Sequence, residues 1–312
     1  MNCLVCGSKD KRFLFIGKDR LHAIPGSFPV VKCRKCGLIM LDPQPSQKMI
    51  AKYYPARYHA YARYDPGSKK EHFAVFLYKL FFKEGGNPLL KLVFLPFKHL
   101  LRGTKIISGG KILDVGCGNG SFLYKMRAAG MDAYGVELSA EGAKEAQRLG
   151  LDVKCGTLEQ QKYPSKYFDV ITLNHVLEHV ADPVKTLQEL GRILKQNGTL
   201  IIAVPNSRSL ARFLFGRYWA SLDVPRHLTT HNVKTMCIAA RKAGLKVKKV
   251  RYISFPFQFQ ASFAYLLHPS AKLPLDKTWL GRSRLMYWLL FPLVYAVDLL
   301  HIGDVIEVTL TN

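Results

Sequence analysis

Ile112-Leu113-Asp114-Val115-Gly116-Cys117-Gly118-Asn119-Gly120 is an apolar strand that ends in an acid, then carries glycine at every second position and runs into a helical pattern. Glycine lets a backbone turn tightly from strand to helix and approach a ligand closely. The spacing G-x-G-x-G departs from the G-x-G-x-x-G loop that delivers a pyrophosphate to a helix N-terminus. A carboxylate at Asp114 would repel pyrophosphate and suits a ligand with a positively charged amino group. Twenty-three residues after Asp114, Glu137 closes the next strand in Tyr134-Gly135-Val136-Glu137-Leu138-Ser139, where it can accept hydrogen bonds from both hydroxyls of a ribose. A cationic sulfonium, an amino acid and a nucleoside together describe S-adenosylmethionine.

Working outward, strands are predicted at 111–115, 132–136, 152–155, 168–173, 199–204, 245–252 and 305–310, with helices near 119–129, 139–149, 182–195 and 231–243. That alternation is the sign of a parallel sheet. The loop, the second-strand acid and this order resemble the class I S-adenosylmethionine-dependent methyltransferases over about 105–252 and the closing strand. The resemblance implies an α/β, Rossmann-like seven-stranded sheet and a methyltransferase activity. It also implies roles: Asp114, Gly116, Gly118 and Gly120 for the methionine end, Glu137 for the ribose, Leu138 as a further cofactor contact, Gly156-Thr157-Leu158 beside adenine, and Asn174 facing the methionine. Residues 105–312 are assigned to this domain, with an apolar insertion at 253–303.

Upstream, Cys3-x2-Cys6 and Cys33-x2-Cys36 are two knuckles, each followed directly by glycine. Together they make one tetrahedral zinc site in a module over 1–46, a structural staple for a segment with few apolar residues. The other reading, two disulfides, is disfavoured in a reducing compartment. Residues 47–104 form a helical entry region, tyrosine-rich at Tyr53, Tyr54 and Tyr58 and interrupted at Gly85-Gly86-Asn87-Pro88. Its mixture of phenylalanine and lysine fits either packing on the main domain or a bilayer interface.

The residues after the fourth strand choose the chemistry in this fold, and here they are Asn174-His175-Val176-Leu177-Glu178-His179. The Asn/Asp-Pro-Pro-aromatic turn of base-amine methyltransferases is absent, which counts against nucleic-acid amino groups. His175-x-x-Glu178-His179 matches an inverted zinc-protease motif literally, but that motif needs both histidines on one long helix. The segment resembles more the Glu-x-x-Glu-His of ubiquinone-type O-methyltransferases, which has been associated with a divalent ion; here His175 stands in place of the first Glu. The Glu-His pair is also similar to that of zinc-bearing sugar C-methyltransferases. Methyl transfer is an in-line displacement in which the protein aligns the nucleophile and removes its proton. Histidine suits that task, so His179 is expected as general base, Glu178 as its orienting partner and His227 as second candidate. His175, Arg226 and the tyrosines 53, 54 and 58 are assigned to the acceptor, Arg226 through a phosphate or carboxylate. The cysteine pairs, Tyr53-Tyr54 and Asp223-Val224-Pro225-Arg226-His227 further resemble a bacterial subgroup that joins a zinc module to this fold and commonly modifies sugars or surface-polymer precursors.

The chain as a whole has 312 residues with a formal net charge of +24, 48% hydrophobic residues and a pI of about 9.8. Disorder and a fibrous role are excluded. Seven cysteines and the lack of an uninterrupted apolar stretch at Met1–Phe13 point to the cytosol. Between 206 and 251 lie eleven Lys/Arg and one acid, Asp223, followed by the apolar insertion. Basic residues flanking broad apolar segments fit an anionic membrane face better than a groove for nucleic acid, which interleaves exposed aromatics with its charges. The run Leu285 to Leu300 is too short and too broken to span a bilayer. The expectation is therefore a methyltransferase, peripheral on the inner face of the cell membrane, acting on a sugar, polyprenyl-linked or other lipid-like acceptor. An RNA methyltransferase or zinc-ribbon RNA-binding protein is the competing class.

Overall fold

Apolar residues alternate along the central strands, and the two sets bury on opposite faces. Leu113, Val115, Ile171 and Leu173 join a core with Leu187, Leu190, Met236 and Ala239, whereas Ile112 and Val170 join one with Phe122, Leu123 and Ala146. A strand with both faces buried belongs inside a three-layer sandwich. The computed structural model, which describes residues 1–54, 62–98, 101–269 and 283–312, has that architecture. Its main sheet contains β4(Lys111–Val115), β5(Asp132–Glu137), β6(Asp152–Cys155), β7(Phe168–Asn174), β8(Leu194–Pro205), β10(Lys246–Ile253) and β11(Val305–Thr311), in the order β10-β11-β8-β7-β4-β5-β6. β11 is antiparallel to both its neighbours, and the other pairings are parallel. The connections are α5(Ser121–Ala128), α6(Ala140–Arg148), α7(Pro183–Ile193) and α9(Val233–Lys242). The strand order reverses between the parallel neighbours β4 and β7, so a crevice opens at their carboxyl ends.

The N-terminal strands β1(Lys11–Gly17), β2(Phe28–Cys33) and β3(Ile39–Leu41) form an antiparallel sheet whose fourth strand is β9(Thr229–Thr230). Leu41 N–H also donates to Leu228 O at 3.0 Å. The sheet therefore reaches beyond the boundary at 46 into the segment just after His227. A two-residue strand has no periodicity, so sequence patterning gave no sign of it.

The entry region comprises α1(Gln47–Ala51), α2(Lys69–Phe82), α3(Pro88–Val93) and α4(Leu95–Lys98). The break lies where Gly-Gly-Asn-Pro stands: Asn87 caps α3 by accepting from Leu89 and Leu90 N–H. Leu77 and Tyr78 of α2 bury against Phe122 of α5. The segment between β8 and β9, with the short helix α8(Leu210–Phe215), is anchored by buried Asp304. Its carboxylate accepts from Trp219 Nε1 at 2.6 Å and from Ser209 and Ser221 hydroxyls at 2.8 Å each. Burial pushes that carboxyl up to about 6 against the pull of these three donors. The apolar insertion is helical at α10(Pro256–Leu267) and α11(Arg284–Leu299).

Candidate functional site

The glycine loop lies at the crevice. Gly116, Gly118 and Gly120 have φ of 70°, 56° and 77°, a region that side chains with a Cβ rarely adopt. A Cβ at Gly116 would stand 2.4 Å from Val176 Cγ2, so the loop touches the exit of the fourth parallel strand. Glu137 is 6% exposed. Its Oε2 accepts from Gly118 N–H and its Oε1 from Ser139 N–H, both at 2.8 Å. An ionised carboxylate offers about four lone-pair sites, so each oxygen keeps one for a diol. Burial raises the Glu137 pKa against these two donors. Leu138 beside it is 72% exposed and presents an apolar face.

Asp114 differs from the bare carboxylate expected. It is 0% exposed, and its Oδ1 accepts from Thr172 Oγ1 at 2.6 Å and from Arg102 at 2.8 Å. The group open toward the crevice is Arg102, 28% exposed, with its guanidinium carbon 4.1 Å from the Phe122 ring centre. Sequence reasoning missed Arg102, which belongs to no periodic element. Leu158 is also corrected: it is 4% exposed and packs in the main core. Thr157 N–H donates to Gln160 Oε1 at 2.8 Å, and Asn174 sits half-buried at the end of β7. Asn119 Nδ2 donates to Ala62 O at 2.8 Å, tying the loop to the segment ahead of α2. The donor set fits S-adenosylmethionine: a guanidinium for an amino-acid carboxylate, a buried acid for ribose hydroxyls, and a bare backbone between them.

On the acceptor side, His175 has φ +55°, a left-handed position that histidine tolerates better than bulky residues. Its Nδ1 lies 3.0 Å from Glu178 Oε1. Leu177–His179 form one 3-10 turn. Glu178 is fully buried, and its Oε2 has no hydrogen-bond partner among the described residues. Burial pushes its carboxyl up, but the His175 hydrogen bond and the charges of His175, His227 and His179 outweigh that and hold it at about 2. His179 Nδ1 donates to Arg226 O at 2.9 Å, and the Tyr54 hydroxyl lies 3.0 Å from the same nitrogen. Because a carbonyl can only accept, Nδ1 carries the proton and Nε2 the lone pair. His227 follows the same rule, with Nδ1 donating to Ser221 O at 2.9 Å. The two rings stand edge to face, 4.7 Å between centres. Burial first, then the charge of His179, push His227 down to about 4.

Arg226 does not face a substrate. It is 0% exposed; its Nε donates to Asp223 Oδ2 at 2.8 Å, its Nη2 to Asp19 Oδ1 at 2.8 Å and its Nη1 to Tyr53 O at 3.0 Å. Two carboxylates and a carbonyl occupy the fork and leave nothing for a ligand. Asp19 in turn accepts from the N–H groups of Leu21, His22 and Ile24. Tyr53 is likewise a packing residue, 5% exposed, with its hydroxyl donating to Pro25 O at 2.7 Å and its ring edge-on to Phe28. Of the other tyrosines, Tyr54 reaches the site and Tyr58 lies outside the described residues.

Among the described residues, two clusters can hold a metal ion. The Sγ atoms of Cys3, Cys6, Cys33 and Cys36 lie within 4.8 Å of one another; the Cys3–Cys36 and Cys6–Cys33 separations are 3.5 Å, far beyond a disulfide bond of ~2.05 Å. A tetrahedron with Zn–S of ~2.3 Å requires edges of about 3.8 Å. The Cys36 contact lowers the Cys3 thiol to about 4. The second cluster is Glu178, His179 and His227, also within 4.8 Å. Both histidines donate Nδ1–H to backbone carbonyls, the arrangement that aims the other nitrogen of a metal-bound imidazole.

A family model described as a methyltransferase domain matches residues 93–250. Ubiquinone biosynthesis O-methyltransferase of Parvibaculum lavamentivorans is 29% identical over 161 residues, 46% of this chain and 62% of that protein. The protein of the same name from Maricaulis maris is 31% identical over 168 residues, 50% of this chain and 66% of its own. The chain thus spans less than two thirds of these curated relatives. Among solved structures, a SAM-dependent methyltransferase of Thermotoga maritima, described as a possible histamine N-methyltransferase, aligns with 78% of this chain and 95% of its own at 19% identity and a TM-score of 0.45. The cyclopropane synthase MmaA2 of Mycobacterium tuberculosis aligns with 72% and 84% at 18% identity and a TM-score of 0.46.

Proposed function

The chain belongs to the methyltransferase-domain family, and from that premise we propose that it moves a methyl group from S-adenosylmethionine to a sugar, polyprenyl-linked or other lipid-like acceptor presented at a membrane surface. When bound, S-adenosylmethionine supplies a methyl group on a sulfonium, ready for in-line displacement. Arg102, held by Asp114, binds the methionine carboxylate, Glu137 takes the ribose hydroxyls, and Leu138 covers the adenine side. His179 removes the acceptor's proton through Nε2 while the Arg226 carbonyl and the Glu178 turn hold its ring. The observation that carries this reading is the Nδ1–H bond of His179 to Arg226 O, which leaves a lone pair beside the exit of β7. The relatives' name, O-methyltransferase, favours a hydroxyl as the acceptor group.

The test is calorimetry with S-adenosylmethionine on the wild type and on Glu137→Ala, paired with transfer of labelled methyl into lipid and nucleotide-sugar fractions. Hydrogen bonds to a charged group are each worth about 1.5–3 kcal/mol, so Glu137→Ala should raise Kd at least roughly tenfold. Absence of binding by the wild type, or unchanged affinity in the variant, ends the reading. Label appearing in RNA instead would transfer the activity to nucleic acid, the class that the charge of +24 favours.

A second reading rests on the unpartnered Glu178 Oε2. Glu178, His179 and His227 fit a divalent cation, which would supply Lewis acidity to an acceptor hydroxyl. Turnover abolished by a chelator and restored by added divalent metal would favour it over the simple base.

The four N-terminal cysteines are proposed to hold a structural zinc. Metal analysis of the intact protein should then find one zinc per chain at this four-thiolate cluster, and Cys33→Ser should lose it with a marked drop in thermal stability, since binding energy at such sites is folding energy. A zinc-free wild type of unchanged melting temperature would refute the assignment.

A further inference from the structure

Helix α11 is apolar on both sides. Val294 and Val297 face inward, while Leu285, Trp288, Leu289, Leu293 and Leu299 are between 41% and 71% exposed. Arg284 is its single exposed charge, and Asp298 is buried with its carboxylate accepting from Ser254. A helix apolar all round is normally core or membrane span. This one is half uncovered, and its 16 residues reach about 24 Å, short of the ~30 Å hydrocarbon core. Among the described residues no helix is long and apolar enough to cross a membrane. Phe257, Phe263, Leu266 and Leu267 of α10 are exposed as well, and Gln260 Nε2 of that helix donates to Ser283 O at 2.8 Å at the start of α11.

The C-terminal end of α10 meets a basic cluster. Arg20 donates to Pro269 O at 2.9 Å and lies 4.6 Å from the Tyr218 ring centre; Arg217 lies 5.0 Å from the same ring. With Lys18 they line one cavity that Tyr265 of α10 also walls. No carboxylate among the described residues pairs with Lys18, Arg20 or Arg217. That cavity continues to Leu222, Asp223 and Val224, on the loop that carries His227.

Resting on the lipid-like acceptor read above, we propose that the exposed face of α10 and α11 docks the enzyme onto an anionic phospholipid bilayer, with Lys18, Arg20 and Arg217 receiving headgroup phosphates at its edge. Interfacial helices bind in this way, through an apolar face sunk at the headgroup boundary and cations beside it. Charge complementarity selects the lipid over a second copy of the chain, since two surfaces of a +24 protein repel each other.

The experiment is flotation of the full-length protein with vesicles of phosphatidylglycerol and phosphatidylcholine, compared with phosphatidylcholine alone, at low and high salt. Wild type should float with the anionic vesicles and be released by salt. Arg20→Glu with Arg217→Glu, and separately Trp288→Ser with Leu289→Asp, should each lower partitioning at least roughly tenfold, two charges being worth about that factor. All of these side chains are at least partly exposed, so melting temperature and S-adenosylmethionine affinity should stay at wild-type values. Equal flotation of variants and wild type, or no flotation at all, overturns the proposal. So does a vesicle-free dimer that Leu289→Asp dissociates. Methylation of a detergent-solubilised acceptor by a non-floating wild type would sink the docking surface while leaving the methyltransferase reading in place. A floating protein that never binds the methyl donor would do the reverse.

Discussion

His179→Gln should lower kcat by ~10²–10⁴, the range lost with a positioned proton acceptor, while Kd for S-adenosylmethionine stays near the wild-type value. The reasoning starts from one hydrogen bond. Arg226 O fixes the proton on Nδ1 of His179, so the basic nitrogen is Nε2. Glutamine can still donate to that carbonyl but has no comparable lone-pair base. His227 shares the tautomer, yet burial and its neighbour push it down to about 4. A base so weak contributes little Brønsted driving force near neutrality, and His227→Gln should therefore cost less than His179→Gln. A bracing role for His179 is separated by two further readouts. Melting temperature should hold in the variant, and any pH dependence that kcat shows in a parallel wild-type assay should vanish from its residual rate. A kcat within threefold of wild type would move the base elsewhere, and loss of turnover on chelation would hand the role to a metal.

The sheet was legible because burial on both faces writes itself into sequence. The central strands β4 and β7 and the second half of β8 carry runs of buried apolar residues, and the structure differs from the reading mainly where β8 starts at Leu194 rather than 199. The cofactor loop was legible for a similar reason: left-handed backbone at Gly116, Gly118 and Gly120 leaves glycine in the sequence. What could not be read are partnerships across long separations. Arg226 and Asp19 are 207 positions apart, and either looks like a solvated surface charge until the fold joins them. Arg102 stands only 12 positions from Asp114 but in no periodic element, and its meeting with that carboxylate changes what the crevice offers from an anion to a guanidinium. β9 completes the N-terminal sheet with two residues, too few to carry any pattern. Leu158 and Tyr53 show the opposite error, since residue type alone does not tell a pocket wall from a core neighbour.

Arg226→Met should destabilise the protein by about 3–5 kcal/mol, the range for removing one partner of a buried ion pair, and should lower kcat although Arg226 is 0% exposed. Burial pushes Asp223 up while Arg226 pulls it down to about 2. Without the guanidinium, buried Asp19 and the mostly covered Asp223 are two acids facing each other across its space, and one must take a proton or find water. The Asp19 turn that receives Leu21, His22 and Ile24 N–H then loses its anchor on the acceptor loop. The same displacement moves the carbonyl that holds His179, so stability and turnover fall together. Arg226→Lys keeps the charge but not the fork that reaches Asp223, Asp19 and Tyr53 O at once, and should recover only part of both. Adding Asp19→Asn and Asp223→Asn to Arg226→Met should restore stability toward wild type, because the uncompensated charge is the larger part of the loss. Urea unfolding of the four proteins decides it. An Arg226→Met protein as stable as wild type, or a triple variant no better than the single one, would mean that these acids do not depend on this cation.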